Sequence, residues 1–207
     1  MTDKITTIVW DFDGVLNRNY VDGRFLWQDD FEIEFGQSIE VFQELIFSEH
    51  FQRVIRAELD LTELIAAWAD EVAFVGDQRD IIDFWFQNDY YLDDRMMAML
   101  ARSSASSLTN VLGTNNEPLR TQFIAEELGF ANRLDRIFSS GQLGVAKPDD
   151  EFFHTVAEEL HVAPETILLI DDTRDNTDAA LGCGWHAHWF DGSDYDGLEK
   201  RLAECCV

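Results

Sequence analysis

Asp11 and Asp13 stand two residues apart in the run Asp11-Phe12-Asp13-Gly14, and that spacing around a tight turn lets two carboxylates divide labour. One attacks an electrophilic centre such as phosphorus, while the other gives a proton to the leaving oxygen and later takes one from water. Asp11 takes the first role in this reading and Asp13 the second. A carboxylate approaching a phosphate dianion meets charge repulsion, so the chemistry demands a cation. Carboxylates, a backbone carbonyl and waters form an oxygen-rich shell that suits Mg²⁺, and Asp11, the carbonyl of Asp13 and Asp172 are the candidate ligands. Lys147 supplies a fixed positive charge for the nucleophile and the phosphoryl oxygens. The Thr114 hydroxyl and the backbone N–H groups of Asn115, Phe12 and Asp13 can bind those oxygens. Asn176, four residues past Asp172 at a helix start, is a secondary candidate for orienting the metal loop or Lys147. Each signal has a bland explanation when taken alone, because Asp-x-Asp-Gly is a common turn composition and threonines and paired aspartates often cap helices.

These residues need strands to carry them to one place. Ile5 to Trp10 is a short apolar, β-branched run that stops at Asp11, which reads as a buried strand delivering acids into a loop. The pattern recurs at Leu108 to Leu112 before Gly113 and Thr114, around Ile137 and Phe138, at Ile167 to Ile170 before Asp171 and Asp172, and around Trp185 to Trp189. Helical spacing separates the later runs, at Pro118 to Leu128, with Leu119, Phe123 and Leu128 on one side, and at Pro148 to Leu160. It returns at Asn176 to Leu181, closed by Gly182, and at Leu198 to Cys205. Pro118 and Pro148 suit first helical turns. Strand alternating with helix predicts an α/β fold with a parallel, Rossmann-like sheet, and in such a sheet ligands bind beyond the carboxyl ends of the strands. That is where Asp11, Asp13, Thr114, Lys147, Asp171 and Asp172 fall.

The segment from Asn17 to Arg102 shows helical periodicity and no clear strand, and reads as an all-helical insert. Asp60 and Glu63 resemble a capping box ahead of Leu61, Leu64, Ile65, Trp68 and Val72, and Ser38 to Glu49, Arg79 to Gln87 and Asp94 to Arg102 are further helices. Its many aromatic and methionine side chains, among them Phe42, Trp68, Trp85, Met96, Met97 and Met99, are expected mainly in the core of a small bundle. Ser103 to Ser107 has the composition of a hinge returning the chain to the sheet. Residues 1–16 and 104–207 then form the core and 17–103 the cap. Asn17, Arg18, Asn19 and Tyr20, entering the cap, are expected to be a solvated linker, with contact to the non-phosphate part of a substrate as the sharper alternative.

In order and strand-end context, these motifs resemble the haloacid dehalogenase-like hydrolase superfamily over essentially the whole chain. Asp11 to Val15 is similar to its first motif, Thr114 to the second, Lys147-Pro148 to the third and Asp171 to Asn176 to the acidic fourth. The insert after the first motif resembles a helical cap, and Phe138 to Pro148 resembles the sugar-phosphate phosphatase branch. By register with the acidic loop, the resemblance makes Asp172 the direct metal ligand and Asp171 a supporting or water-mediated partner. It implies a magnesium-dependent phosphatase that hydrolyses a small phosphorylated metabolite, a sugar phosphate among the candidates, through an aspartyl-phosphate intermediate. A phosphomutase of the β-phosphoglucomutase type is the nearest alternative. A dehalogenase lacks an acid at the position of Asp13, since halide leaves without protonation, and a non-enzymatic regulatory protein has no need of every ionisable group that turnover requires.

Composition sets the frame. With 207 residues, 46% hydrophobic, the chain can bury a substantial core. A formal charge of −26 repels nucleic acid and anionic membranes, so neither is expected as a partner, and an anionic substrate needs a local positive device. No apolar stretch is long enough for a membrane span and the N-terminus does not read as a signal peptide, so a cytoplasmic protein is expected, monomeric or homodimeric. Cys183, Cys205 and Cys206 lack metal-ligand spacing, which argues against a disulfide framework or zinc site. No role is assigned to His50, His154, His161, His186 or His188.

Overall fold

The computed structural model describes residues 4–21 and 23–205; Cys206 and Met1 to Asp3 lie outside them. Five parallel strands form the main sheet: β1 (Thr7–Trp10), β4 (Thr109–Thr114), β5 (Arg136–Ser139), β6 (Ile167–Asp171) and β7 (His186–Trp189), in the order β5-β4-β1-β6-β7. β1 is central, and all four of its residues are buried, as expected of a strand covered on both faces. Alternation sorts its side chains. Ile8 and Trp10 join Leu112, Leu168 and Ile170 on one face, while Val9 joins Val111, Phe138 and Leu169 on the other. The register pairs Trp10 with Leu112 and with Ile170, so Asp11 emerges level with the end of β6.

Helices cover both faces. α9 (Asp150–Leu160) packs Phe152, Phe153 and Val156 on the Val9 side, where α10 (Arg174–Gly182) adds Ala180. α6 (Asp94–Ser104) and α11 (Tyr195–Cys205) cover the Trp10 side with Met96, Met99, Leu100, Leu198 and Leu202. α7 (Pro118–Glu126) and the short α8 (Ser140–Leu143) follow β4 and β5. A third apolar cluster belongs to the insert and is built around Trp27, Phe31, Phe42, Trp68 and Trp85. Deleting any one of these buried rings costs roughly 3–5 kcal/mol.

Several expectations need correction. The insert is not all helical, because β2 (Tyr20–Val21) and β3 (Arg24–Phe25) form an antiparallel hairpin before a 3₁₀ turn at Leu26–Asp30. The helix expected from Ser38 to Glu49 is two: after α1 (Phe31–Phe35), α2 (Ile39–Ile46) ends and α3 (Glu49–Val54) restarts where the Ser48 hydroxyl caps the His50 N–H. α4 (Leu61–Glu71), capped by Asp60, and α5 (Gln78–Asn88) follow. Met96 and Met99 pack against the sheet and not in the bundle. Ser103 and Ser104 complete α6 instead of forming a hinge, and the Ser103 hydroxyl donates to Asn110 Oδ1. Pro148 precedes α9 instead of opening it, Gly182 is the last residue of α10, and the left-handed glycine beyond is Gly184. The buried face of α7 carries Arg120, Thr121 and Ile124, whereas Leu119 is exposed.

Candidate active site

Four loops at the carboxyl edge of the sheet meet around Lys147. Its ammonium is almost fully buried, 3.0 Å from Asp11 Oδ1 and 2.6 Å from Asp171 Oδ2. Asp11 is fixed at the end of β1 by its N–H bond to the Ile170 carbonyl, and its Oδ1 also accepts from the Phe12 N–H. Asp171 is fully committed to protein partners, since besides Lys147 it accepts from the Thr173 N–H and from the Asn176 amide. Asp172 is exposed at the mouth. Gly14 makes room for it: a Cβ there would overlap the Asp172 carboxylate, and its φ of +82° is one that a side chain disfavours.

Carboxylate oxygens of Asp11, Asp171 and Asp172 lie within 4.8 Å of one another. Three acids face one ammonium, and the imbalance shows in their protonation. Burial raises the pKa of Asp11 well above its ordinary value, Lys147 opposes the rise, and Asp171 and Asp172 add to it. Partial burial and then the charge of Asp171 push Asp172 up as well. Burial disfavours the Lys147 charge, but Asp11 and Asp171 outweigh it and hold the ammonium above its usual range. A hard divalent cation fits this donor set, because it would offset the excess negative charge with oxygen ligands alone.

Thr114 closes β4, and its buried hydroxyl accepts from the Asn116 amide. The Asn115 side chain is spent on the Lys147 main chain, donating to its carbonyl and accepting from its N–H, so any phosphate contact from this residue falls to its backbone N–H. These groups, with Asp11, Asp13, Lys147, Asp172 and Asn176, line one cavity of about 470 Å³.

Asp13 sits in a second network that the sequence did not disclose. Its Oδ1 accepts from the Asn17 and Asn19 amides at 2.8 and 3.1 Å, and its Oδ2 accepts from Asn116 at 3.2 Å. Arg120, itself buried, lies 3.7 Å from Asp13 and 3.0 Å from Asp89. Asn17 and Asn19 are thus buried structural partners and not a solvated linker. Asp89 is pushed up to about 7, first by burial and then by the charge of Asp13, against the pull of Arg120.

A parallel sheet with a lysine-bridged acid cluster at its carboxyl edge and a largely helical insert after the first strand is the architecture of a capped α/β hydrolase. The chain belongs to the haloacid dehalogenase-like hydrolase family, whose model matches residues 5–184. It is 26% identical over 148 residues to Phosphatase MT3486 of Mycobacterium tuberculosis (69% of this chain, 68% of that protein). It is 31% identical over 93 residues to the GMP/IMP nucleotidase YrfG of Escherichia coli (45% of this chain, 42% of that protein). The chain spans between 11% and 68% of the length of these and another curated relative. Among solved structures, a haloacid dehalogenase family enzyme of Bacteroides thetaiotaomicron shares the fold, with a TM-score of 0.80 at 17% identity over 95% of this chain and 98% of that one. The same enzyme has been solved in complex with magnesium and inorganic phosphate. No described helix is long and apolar enough to cross a membrane.

Proposed function

We propose that the protein is a magnesium-dependent phosphatase that hydrolyses a small phosphorylated metabolite through a phosphoryl group carried on Asp11. The observation that carries this reading is the convergence of Asp11, Asp13, Thr114, Lys147 and Asp172 on one cavity. Asp11, the main-chain carbonyl of Asp13 and Asp172 would hold Mg²⁺, which when bound neutralises charge on the phosphoryl oxygens. The full commitment of Asp171 to Lys147, Thr173 and Asn176 supports a supporting role for it and the direct role for Asp172.

In the first half-reaction Asp11 forms a bond to phosphorus as the bond to the leaving oxygen breaks. That oxygen departs with the bonding pair and takes a proton from Asp13. In the second, Asp13 takes a proton from water as the water oxygen bonds to phosphorus, and Asp11 is released together with inorganic phosphate. Lys147 and Thr114 hold the phosphoryl oxygens throughout. Asp13 also disfavours dehalogenation, which needs no such acid. We place the boundary of the cap before α6, because that helix packs its methionines on the sheet.

Turnover of p-nitrophenyl phosphate with Mg²⁺, abolished by chelator and by Asp11→Asn, is the expected result. A pure, folded protein that releases no phosphate from any monoester would defeat the assignment, and transfer to a sugar hydroxyl in place of water would make it a mutase.

A further inference from the structure

Beside the polar cavity lies a smaller recess of about 160 Å³, walled by Phe25, Trp27, Phe47, Phe51, Trp85 and Phe86. The two spaces share Asp13, Asn19, Phe25 and Asn115, so Asp13 stands at the junction. Since Asp13 is assigned to protonate the leaving oxygen, the leaving group has to extend past it, and the recess is the enclosed space on that side. Resting on the phosphatase reading, we infer that this recess receives the leaving group, and that the substrate is the monophosphate of a compact, largely apolar alcohol of about one ring's size, not of a polyol.

Size and chemistry both point this way. A dry apolar cavity of about 150 Å³ accommodates benzene, close to the volume here. The rings are closely packed, with the Trp27–Trp85 and Phe47–Trp85 centroids 5.3 and 5.4 Å apart, so the walls are already organised for a flat or branched hydrocarbon. Asp89, Asn115, Asn116, Glu117 and Arg120 also line the recess, but they are largely spent on protein partners: Asp89 and Arg120 on each other, Asn115 on Lys147, Asn116 on Thr114 and Asp13, and Glu117 on the Leu119 and Arg120 N–H groups. Among the described residues, the buried atoms at the recess without a protein partner include Trp27 Nε1, Arg120 Nη1 and Asn19 Oδ1, enough to meet one or two polar atoms on the ligand. The Arg120 guanidinium is itself pinned over the Phe86 ring, 5.3 Å from its centroid. A sugar brings several hydroxyls, and each one stranded against these rings weakens binding on the order of tenfold.

The test uses the full chain with Mg²⁺ and two sets of probes. In the first, benzylphosphonate, methylphosphonate and inorganic phosphate are titrated by calorimetry and by inhibition of p-nitrophenyl phosphate turnover. Benzylphosphonate should bind tighter than methylphosphonate by on the order of 10- to 100-fold, as expected for ring-sized apolar surface entering a formed pocket. In the second, benzyl phosphate should exceed glycerol 3-phosphate and glucose 6-phosphate in kcat/KM by about tenfold or more, all three leaving as primary alcohols protonated by the same acid. Phe51→Trp, at a half-buried wall position, should lower the benzyl-to-methyl affinity ratio. If that variant does not fold, the wild-type series still decides. Equal affinity for the two phosphonates, or a preference for the sugar phosphate, overturns the inference while leaving the phosphatase reading intact. Failure to bind inorganic phosphate or to turn over any monoester overturns the reading on which it rests.

Discussion

Replacing Lys147 by Met leaves the apolar stem in place but removes the ammonium that lies 2.6 Å from Asp171 and 3.0 Å from Asp11. Two buried carboxylates then face each other with no compensating charge. Breaking a buried pair in this way costs about 3–5 kcal/mol. In a chain of this length each kcal/mol moves the melting temperature by roughly 2–4 °C, so a fall of about 6–20 °C is expected. Because burial is outweighed and the folded pKa of Lys147 lies above its ordinary 10.5, its contribution is complete at neutral pH and is lost only as the pH climbs through that raised value. The measurement is thermal unfolding by circular dichroism near neutral pH in chelator, which confines the effect to protein groups. Adding Asp171→Asn to the variant removes one stranded charge and should recover roughly 0.5–3 kcal/mol. A melting temperature unchanged by Lys147→Met, or a double variant less stable than the single one, would refute the charge-compensation argument.

Asp11→Asn should abolish turnover while leaving the circular dichroism spectrum and melting curve close to wild type; substantial residual activity in a pure sample would sink the aspartyl-phosphate route. Gly14→Ala should weaken Mg²⁺ affinity, because the added Cβ displaces the Asp172 carboxylate, and an unchanged calorimetric Mg²⁺ isotherm would contradict the role given to Asp172. Ca²⁺ should not replace Mg²⁺ in turnover, since its larger, looser shell misplaces the nucleophile, and equal rates with the two ions would remove that argument. Asp89, with its pKa raised from 3.8 to about 7, contributes stability that is present below its ordinary pKa and lost as the pH rises through the folded value. Asp89→Asn should therefore lose less stability than wild type between about pH 4 and 7, and parallel melting curves for the two proteins would count against this.

The strand ends were legible because each apolar run stops at a polar residue of the candidate site: Trp10 at Asp11, Ile170 at Asp171, Gly113 at Thr114. The second network was not legible, because its members are brought together only by the fold. Asn19 and Asp89 lie 70 positions apart, and no local pattern joins them. Arg120 was hidden by the assumption that the apolar side of α7 faces inward, whereas the helix turns Arg120, Thr121 and Ile124 to the interior. The signals available were the closeness of Asn116 to Thr114 and the place of Arg120 in the first turn after that loop. Helical spacing at Met96 and Met99 announced an apolar face but not which of two cores would receive it. The hairpin was missed because two-residue strands carry too little alternation to register as a period.

Where the insert leaves and rejoins the sheet, the outgoing and returning segments run side by side. Arg18 N–H donates to the Tyr91 carbonyl, Asp93 N–H to that of Leu16, and Asn17 pairs with Leu92 in an isolated bridge. The ends of the insert are thus held together by the core's own loop, so the core sees the insert as a closed loop whatever lies inside it. For such a loop each doubling of length adds only about 0.6 kcal/mol of closure entropy. The join is therefore modular: the segment between Tyr20 and Asn88 can lengthen or shorten at small expense to the sheet, provided that the Asn17 and Asn19 contacts to Asp13 and the packing of Phe86 on Arg120 and Phe123 are kept.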